Sequence, residues 1–140
     1  MGDACTFCGI RDGAVPAHVV LDEPAAVGFL DARPVFFGHV LVMPRDHRTT
    51  LLDVPAADLG TLFAAVQRVA AAVPAAMAAE GTFVAVNNVV SQSVPHLHVH
   101  VVPRRRGDGL RGFFWPRKHY GGDEDMAAVA ERIRTELARG

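Results

Sequence analysis

Lysine and cysteine are both scarce in this chain of 140 residues, which has one lysine and two cysteines. The 14 basic and 15 acidic residues give a formal net charge of −1, so no basic surface field favours DNA or RNA. A polyanionic partner would therefore need a local site. Two cysteines three positions apart do not resemble the disulfide framework of a small secreted protein. The apolar runs stop well short of the roughly 18 positions that a membrane span needs.

The beginning of the sequence lacks the basic leader and apolar stretch of a secretory signal. Together with the scarcity of cysteine, this favours the reducing cytoplasm as the location, with no membrane partner. Half of the residues are hydrophobic, which is enough to build one core at this length. We therefore expect a single domain over residues 1–140.

Short apolar runs bounded by turn signals predict five strands. They are Val19–Leu21, Val27–Leu30, Val40–Met43, Phe83–Val89 and His96–Val102. Pro103 should stop the last of these strands. The tight spacing of the first three favours antiparallel pairing, because a parallel crossover needs a dozen or more residues.

Apolar residues that recur at intervals of three and four predict a long helix over Asp53–Ala79. Asp53 is expected to be its N-cap, Pro55 fits its first turn, and Pro74 should kink or end it. Asp123 should cap a final helix. One side of that helix carries Met126, Val129, Ile133 and Leu137. The order of elements predicts an α+β fold with the helices on one face of an antiparallel sheet.

The segment 95–103 alternates histidine with apolar residues. Because successive side chains of a strand point to opposite faces, His96, His98 and His100 should share one face. The apolar residues between them should enter the core and leave an exposed row of imidazoles. Packing gives no reason to choose histidine three times, since threonine or lysine would be solvated as well. The row therefore indicates chemistry.

Two kinds of chemistry could use this row. A metal site made by all three histidines fits poorly, because the outer two would lie about 13 Å apart on a straight strand. Zinc needs its nitrogen ligands about 2.0–2.1 Å from the ion. Two alternating histidines could still share a metal. Phosphate chemistry is the second option, because a neutral imidazole is a competent nucleophile and a neighbouring histidine can protonate a leaving group.

The segment 96–102 resembles the His-φ-His-φ-His-φ-φ signature of the histidine triad (HIT) hydrolases, where φ is an apolar residue. Residues 29–34 look like the ribose-binding segment of that family, and residues 38–47 resemble its Gly-His-x-Leu-Val-x-Pro-x-x-His strand. Residues 87–88 and 91–94 are similar to the segment of that family that leads into the triad and binds phosphate. The resemblance follows the family order over nearly the whole chain. It implies a HIT-like fold, with a long central helix and a C-terminal helix beside the sheet.

The resemblance also implies roles for individual residues. His98 would be the nucleophile that forms a nucleotidyl-histidine intermediate, and His100 would bind the phosphate and assist proton transfer at the leaving group. Asp31 would accept hydrogen bonds from the ribose hydroxyls. The donors to the phosphate oxygens would be Gln92, Ser93 and one of Asn87 and Asn88.

The asparagine pair and His39 have plain structural alternatives to a functional role. Asn87 and Asn88 could simply form a turn. His39 recurs in the family as a support behind the triad, and it could equally be a buried histidine bonded to backbone.

Cys5 and Cys8 form a Cys-x-x-Cys pair, which could be a redox pair, two buried small residues or half of a zinc site. This end of the chain also resembles galactose-1-phosphate uridylyltransferase, a distant relative in the same superfamily. There, zinc is held by such a pair, a histidine after a strand-ending proline and the first histidine of the triad-like motif. The resemblance implies a structural zinc that pins residues 1–10 beside the histidine strand. Its ligands here would be Cys5, Cys8, His47 and His96.

The segment 104–122 follows the triad and begins with three arginines. Arg104, Arg105 and Arg106 are either a solvated charge run or contacts for the outer phosphates of a polyphosphate. Trp115 could cover the core, form a dimer contact or stack on a base.

The function implied by the resemblance is hydrolysis of a phosphoanhydride or phosphoramidate bond at the α-phosphate of a nucleoside polyphosphate or AMP conjugate. An adenine nucleotide is the expected substrate, and a homodimer is the expected assembly. Two alternatives remain: a nucleotidyltransferase or phosphorylase with the same intermediate, and a non-enzymatic nucleotide-binding protein. The intact triad disfavours the last, because gripping a phosphate does not require an imidazole at His98.

Overall fold

The computed structural model describes residues 4–110 and 117–139. The chain divides into two compact units, Met1–Asp108 and Gly109–Gly140. The first unit contains a short helix α1 (Thr6–Arg11), a long helix α2 (Ala56–Met77) and five strands. The strands are β1 (Val19–Asp22), β2 (Ala26–Leu30), β3 (Val40–Pro44), β4 (Gly81–Val86) and β5 (Val99–Arg104). The second unit contains α3 (Asp123–Arg139).

The five strands form one antiparallel sheet in the order β1-β2-β3-β5-β4. β5 therefore lies inside the sheet, between β3 and β4. The prediction of an α+β fold with about five antiparallel strands is confirmed. The central place of β5 explains why its apolar side is fully buried: Val99 and Val101 are each 0% exposed, as is Leu97 just before the strand.

Helix α2 packs on one face of the sheet. Its buried residues Leu62, Val66 and Val69 join Val42 of β3 and Val99 of β5 in the larger core cluster. By length and composition alone, α2 would also be long and apolar enough to cross a membrane. Its packing on the sheet is the arrangement expected of the core helix of a globular domain.

Helix α1 lies on the opposite face of the sheet, because its buried Phe7 joins a second cluster formed by alternate strand residues. The other buried members of that cluster are Val27, Phe29, Leu41 and Met43. The sequence did not predict α1, so this helix on the second face is an addition to the predicted fold. The sequence around α1 does not predict a helix, because the six residues of α1 are too few to show a helical period.

The histidine strand begins and ends later than predicted. Residues 96–98 precede β5 because their polar groups bond outside the ladder: the Leu97 N–H donates to the Arg48 carbonyl at 2.6 Å. Pro103 does not stop the strand but pairs with Thr82 of β4. The pairing of β3 with β5 ends at Val101, so Pro103 has a partner strand on one side only.

The long helix also has different ends from those predicted. Asp53 belongs to a 3₁₀ turn, where its carboxylate accepts from the Thr50 N–H at 2.8 Å, and Pro55 takes the N-cap of α2 instead. Pro74 lies in the last turn, and α2 continues past it to Met77. Ala78, in the left-handed conformation with φ of 51°, ends the helix.

In the second unit, α3 begins with three acidic residues, which suit the positive end of the helix dipole. Its predicted apolar side is present but exposed: Met126 is 50%, Ile133 57% and Leu137 74% exposed.

Candidate active site

The histidines of the triad lie on one face, as predicted, but they are not an exposed row. His96 is 0% and His98 5% exposed, and His100 is half-buried. The cover is α1, whose Phe7 ring contacts the His98 ring edge-to-face at a centroid distance of 5.0 Å. The predicted zinc site places residues 1–10 beside the histidine strand. The sequence did not predict that a helix there would bury the imidazoles, because the segment has no periodic signal.

The hydrogen bond of His98 fixes the position of its ring proton. Nδ1 lies 2.7 Å from the His96 carbonyl oxygen, which can only accept, so Nδ1 carries the proton and donates it. In the neutral ring, Nε2 is then the nitrogen with the lone pair. The backbone of one triad histidine thus orients the ring of the next.

A second chain of bonds orients His100. The Val35 N–H donates to Nδ1 of His39 at 3.1 Å, so the proton of neutral His39 is on Nε2. That nitrogen lies 3.0 Å from Nδ1 of His100 and donates to it. His100 consequently carries its own proton on Nε2, which makes that atom a donor. His39 is therefore buried and bonded to backbone, and it also supports the triad directly.

Burial favours the neutral forms of His39 and His100. It lowers the pKa of His100 to about 4, with His98 and His39 adding to the shift. Burial likewise lowers the pKa of His39, an effect that Asp31 partly opposes. Neutral His39 and His100 are the forms that the hydrogen-bond chain requires at neutral pH.

Asp31, His39 and His100 also bring their ligand atoms within 4.8 Å of one another, as a cation site would. However, the facing nitrogens of His39 and His100 are bonded to each other, and the Val35 N–H occupies the remaining nitrogen of His39. The arrangement therefore serves hydrogen bonding rather than metal coordination.

A cavity of about 770 Å³ opens in front of His98 and His100. Asp31, Arg33 and Ser93 also line it and supply polar groups. Much of the remaining wall is apolar and comes from α1, the segment after it and β2. These residues include Phe7, Ile10, Val15, Pro16 and Phe29. The volume and the mixture of apolar wall with a few polar groups are typical of a small-molecule site.

A smaller cleft of about 320 Å³ lies between α2 and the β1–β2 edge of the sheet. Its lining is apolar apart from Arg68, which pairs with Glu23. It offers no group for phosphate chemistry, so the cavity at His98 is the candidate active site.

The predicted binding residues divide into two groups. Asp31 and Ser93 line the cavity with the histidines. Asn88 and Gln92 are engaged in the preceding loop, where Asn88 Oδ1 accepts from the Leu51 N–H and the Gln92 amide donates to the Thr49 carbonyl. Asn87 is exposed in the same loop. Contact of these three residues with phosphate stays a prediction.

The loop that carries Asn88 and Gln92 has a strained backbone. Val89 has a φ of 69° and Ser91 one of 61°, in the left-handed region that a β-branched residue rarely adopts. β4 ends at Val86 and not at Val89 as predicted, because its partner β5 begins at Val99, opposite Val86, and β4 is an edge strand. The strained residues therefore belong to the loop and not to the strand. Such strain is often found at binding sites.

The four predicted zinc ligands come together at the start of α1. Their ligand atoms all lie within 4.8 Å of one another. Cys8 Sγ lies 3.3 Å from Nδ1 of His47, and Nδ1 of His96 lies 3.5 Å from Cys5 Sγ and 3.6 Å from Cys8 Sγ. A tetrahedral zinc with ordinary bond lengths requires sulfur–nitrogen separations of about 3.5 Å.

The tautomer of His96 also suits a metal. Nε2 lies 3.1 Å from the Pro44 carbonyl and donates to it, which leaves the lone pair on Nδ1, the nitrogen that faces the two sulfurs. Burial and the adjacent Cys5 raise the pKa of the Cys8 thiol. The donor set therefore fits zinc, with binding that releases protons and weakens in acid.

The three arginines after the triad have structural partners. Arg104 pairs with Asp108 at 2.6 Å, Arg106 pairs with Glu80 at 3.2 Å, and Arg105 donates to the Met77 and Ala78 carbonyls at the end of α2. Arg105 thereby satisfies carbonyls that a helix end leaves open. Trp115 lies outside the described residues.

Comparisons with known proteins agree with this geometry. A family model, the HIT domain, matches residues 12–107. A solved structure from Streptococcus mutans has a TM-score of 0.87 and 31% identity, covering 98% of this chain and 87% of that one. A Zn-bound histidine triad family protein from Mycobacterium smegmatis has a TM-score of 0.73 and 36% identity, covering 94% and 97%.

An adenosine 5'-monophosphoramidase of Candida albicans is 27% identical, with 97% of this chain and 93% of that protein covered. Relatives of this chain thus include a nucleotide hydrolase. The family model spans well over half of the chain, including most of the cavity wall and all three triad histidines. The chain therefore belongs to the histidine triad (HIT) family.

Proposed function

We propose that this protein is a nucleotide hydrolase that cleaves a phosphoanhydride or phosphoramidate bond at the α-phosphate of a nucleoside polyphosphate or AMP conjugate. One observation carries the proposal: Nδ1 of His98 is committed to the His96 carbonyl at 2.7 Å, which leaves Nε2 as a free base at the cavity wall. The relationship to a monophosphoramidase supports the class of reaction.

The reaction takes place in two displacements. In the first, His98 Nε2 forms a bond to the α-phosphorus while the bond from phosphorus to the leaving oxygen or nitrogen breaks. In the second, water attacks the same phosphorus, the phosphorus–nitrogen bond breaks and the nucleoside monophosphate leaves. Splitting one difficult displacement into two easier ones is the usual benefit of covalent catalysis.

His100 acts beside the nucleophile, because the two rings lie 5.0 Å apart between centroids. The N–H that its bond with His39 leaves on Nε2 donates to a phosphate oxygen or to the departing group. His39 is a positioning residue, since it holds this tautomer and lies behind His100.

The nucleoside occupies the rest of the cavity. Asp31 accepts from the ribose hydroxyls, and Ser93 donates to a phosphate oxygen. The apolar wall around Phe29 and Val15 suits a base, and adenine is the base of the related monophosphoramidase substrate. Asn87, Asn88 and Gln92 remain candidates for phosphate contacts if the loop rearranges when the substrate binds.

We also propose a structural zinc held by Cys5, Cys8, His47 and His96. The sulfur–nitrogen separations and the tautomer of His96 support it, as does the Zn-bound relative. The metal holds the N-terminal segment against the histidine strand and takes no part in the displacement steps.

The experiment that tests the proposed function combines a substrate panel with the variant His98→Asn. Asparagine keeps a donor for the His96 carbonyl but has no atom at the position of Nε2. We expect the parent protein to hydrolyse adenosine 5'-phosphoramidate or a dinucleoside polyphosphate, and His98→Asn to lower turnover by about a thousandfold or more.

The exposed His119 provides the control, and His119→Ala should retain full activity. Circular dichroism checks that His98→Asn still folds, a point that matters because His98 is buried and not on a tolerant surface. Near-parental activity of folded His98→Asn would refute the assignment. Repeating the panel with and without inorganic phosphate separates hydrolysis from phosphorolysis: a nucleoside diphosphate product would favour the phosphorylase alternative.

A further inference from the structure

Helix α1 contributes to two sites at once. Cys5 at its N-cap and Cys8 within it belong to the zinc cluster, while Thr6, Phe7 and Ile10 line the nucleotide cavity. The helix has only six residues, and helices this short are not stable on their own. Whatever holds α1 in place therefore also shapes the cavity.

Phe7 connects the two sites through its ring. It lies between the cysteines in sequence and is 8% exposed. Its ring meets His98 at 5.0 Å and 83°, Phe29 at 5.1 Å and 75°, and His96 at 6.1 Å and 60°. These edge-to-face contacts limit the tilt of the His98 ring, on which the direction of Nε2 depends.

The part of the cavity wall formed by the segment after α1 also depends on this helix. A Cβ atom at Gly9 would lie 2.6 Å from Val15 Cγ2, so the chain after α1 packs directly on its backbone. The Ala14 and Val15 N–H groups both donate to the Gly9 carbonyl, at 2.8 and 3.1 Å. Val15 and His18 of this following segment also line the cavity.

The other anchors of α1 are few among the described residues. Arg11 donates to the Arg45 carbonyl at 2.8 Å, and its ion pair with Asp12 is local and exposed, which contributes little. Phe7, with Ile10 and Cys5, also packs in the second core cluster. A metal bound by ligands from α1, the end of β3 and the histidine segment would thus add the main fixed connection.

We propose that Phe7 is a positioning residue through which metal binding at the Cys5–Cys8 cluster orders the nucleotide cavity and the His98 ring, so that zinc and nucleotide bind cooperatively. This inference rests on the proposed function, because it needs both the zinc site and the nucleotide site. Linkage makes the coupling reciprocal: each ligand must strengthen the other by the same factor.

Calorimetry with AMP as the probe tests the coupling on the full chain. The Kd of AMP is measured for the zinc-loaded protein and after chelation, and the zinc affinity is measured by competition with and without saturating AMP. We expect removal of zinc to raise the Kd of AMP about tenfold, and AMP to tighten zinc by the same factor.

A Kd for AMP that is equal in the two forms, with both ligands shown to bind, would overturn the coupling while leaving the proposed function intact. If the zinc-loaded chain does not bind AMP, the proposed nucleotide site is wrong, and if the chain takes up no zinc, the proposed zinc site is wrong. Either result overturns this inference, whereas the substrate panel with His98→Asn tests the proposed hydrolase activity separately.

Variants of Phe7 test the route. Phe7→Leu keeps an apolar side chain but removes the ring edge, so zinc should still bind while the tenfold coupling falls towards none. Phe7→Tyr keeps the ring and should keep the tenfold coupling between zinc and AMP. The matched control is Phe29→Leu, which loses a ring of the same cluster that lies on β2 and not on α1. That change should weaken AMP binding equally in both metal states.

A spectroscopic readout completes the test. In nuclear magnetic resonance spectra of the parent protein, the signals of the His98 ring nitrogens should shift when zinc is removed, because Phe7 moves relative to that ring. In Phe7→Leu the same removal should produce a smaller shift, and what remains passes through the bond between His98 Nδ1 and the carbonyl of the ligand His96. Coupling in Phe7→Leu equal to that of the parent would overturn the role of Phe7.

Discussion

At the scale of single residues, proton positions decide what the site can do. Backbone carbonyls and N–H groups set the tautomers of His96, His98 and His39. In the proposed site, the same type of side chain thus serves as a metal ligand, a nucleophile or a donor. The alternation of histidines predicted the shared face. It could not predict the tautomers, because the Pro44 carbonyl and the Val35 N–H belong to distant segments.

The buried histidines predict a definite pH dependence of stability. In the unfolded chain a histidine titrates near 6.5, whereas in the folded chain the pKa of His100 is about 4. Between these values the unfolded state binds more protons. The free energy of unfolding should therefore be highest above pH 6.5 and fall as the pH drops towards about 4.

Urea unfolding of chelator-treated protein at several pH values checks this prediction, with His100→Gln as the comparison. The variant cannot take up the extra proton on unfolding, so its stability should fall less steeply with acid. If the free energy of unfolding falls equally with acid in parent and variant, His100 does not contribute to the pH dependence of stability.

At the scale of elements, the sequence predicted best where periodicity reflects burial. β2 and β3 were predicted to within one residue at each end, because their apolar runs are bounded by turns. β4 was predicted to run past Val86, since an apolar pattern does not show where the partner strand begins. α1 was missed entirely: its stability comes from Phe7 and the cysteine cluster rather than from its own period.

The N-terminal element predicts what loss of the metal should do. Purified protein should contain about one zinc per chain. Cys8→Ser should release the metal and lower the melting temperature, because metal binding is coupled to folding of α1. Elemental analysis and thermal denaturation check both results.

Thr6→Ser is a matched control for this experiment, since it alters a neighbouring helix residue without removing a ligand. Protein prepared without chelators that contains no metal would contradict the four-ligand site. Metal-loaded Cys8→Ser with unchanged stability would do the same.

At the scale of the whole molecule, the order of strands leaves β4 at an edge of the sheet. Val84 of β4 is 43% exposed, and an exposed apolar edge strand is a ready surface for pairing. We propose a homodimer, as the family resemblance implies. Light scattering should give a mass of twice 15.0 kDa, and a single-chain mass at micromolar concentration would contradict it.

The family, the sheet and the histidine face were all recognisable from sequence, because the motif residues lie close together along the chain. The complete cavity was not, since it needs α1 and the segment after it to cover the triad from the other end of the chain. The whole site therefore combines a local motif with a distant wall, and its chemistry depends on both.

The central claim is that His98 forms a covalent bond to the α-phosphorus. The most direct measurement is the stereochemical course of hydrolysis of a substrate whose α-phosphorus is a chiral phosphorothioate, with isotopically labelled water. Two displacements each invert the configuration, so the account predicts net retention. Clean inversion would mean that water attacks directly, and it would contradict the covalent route even if His98 proved essential.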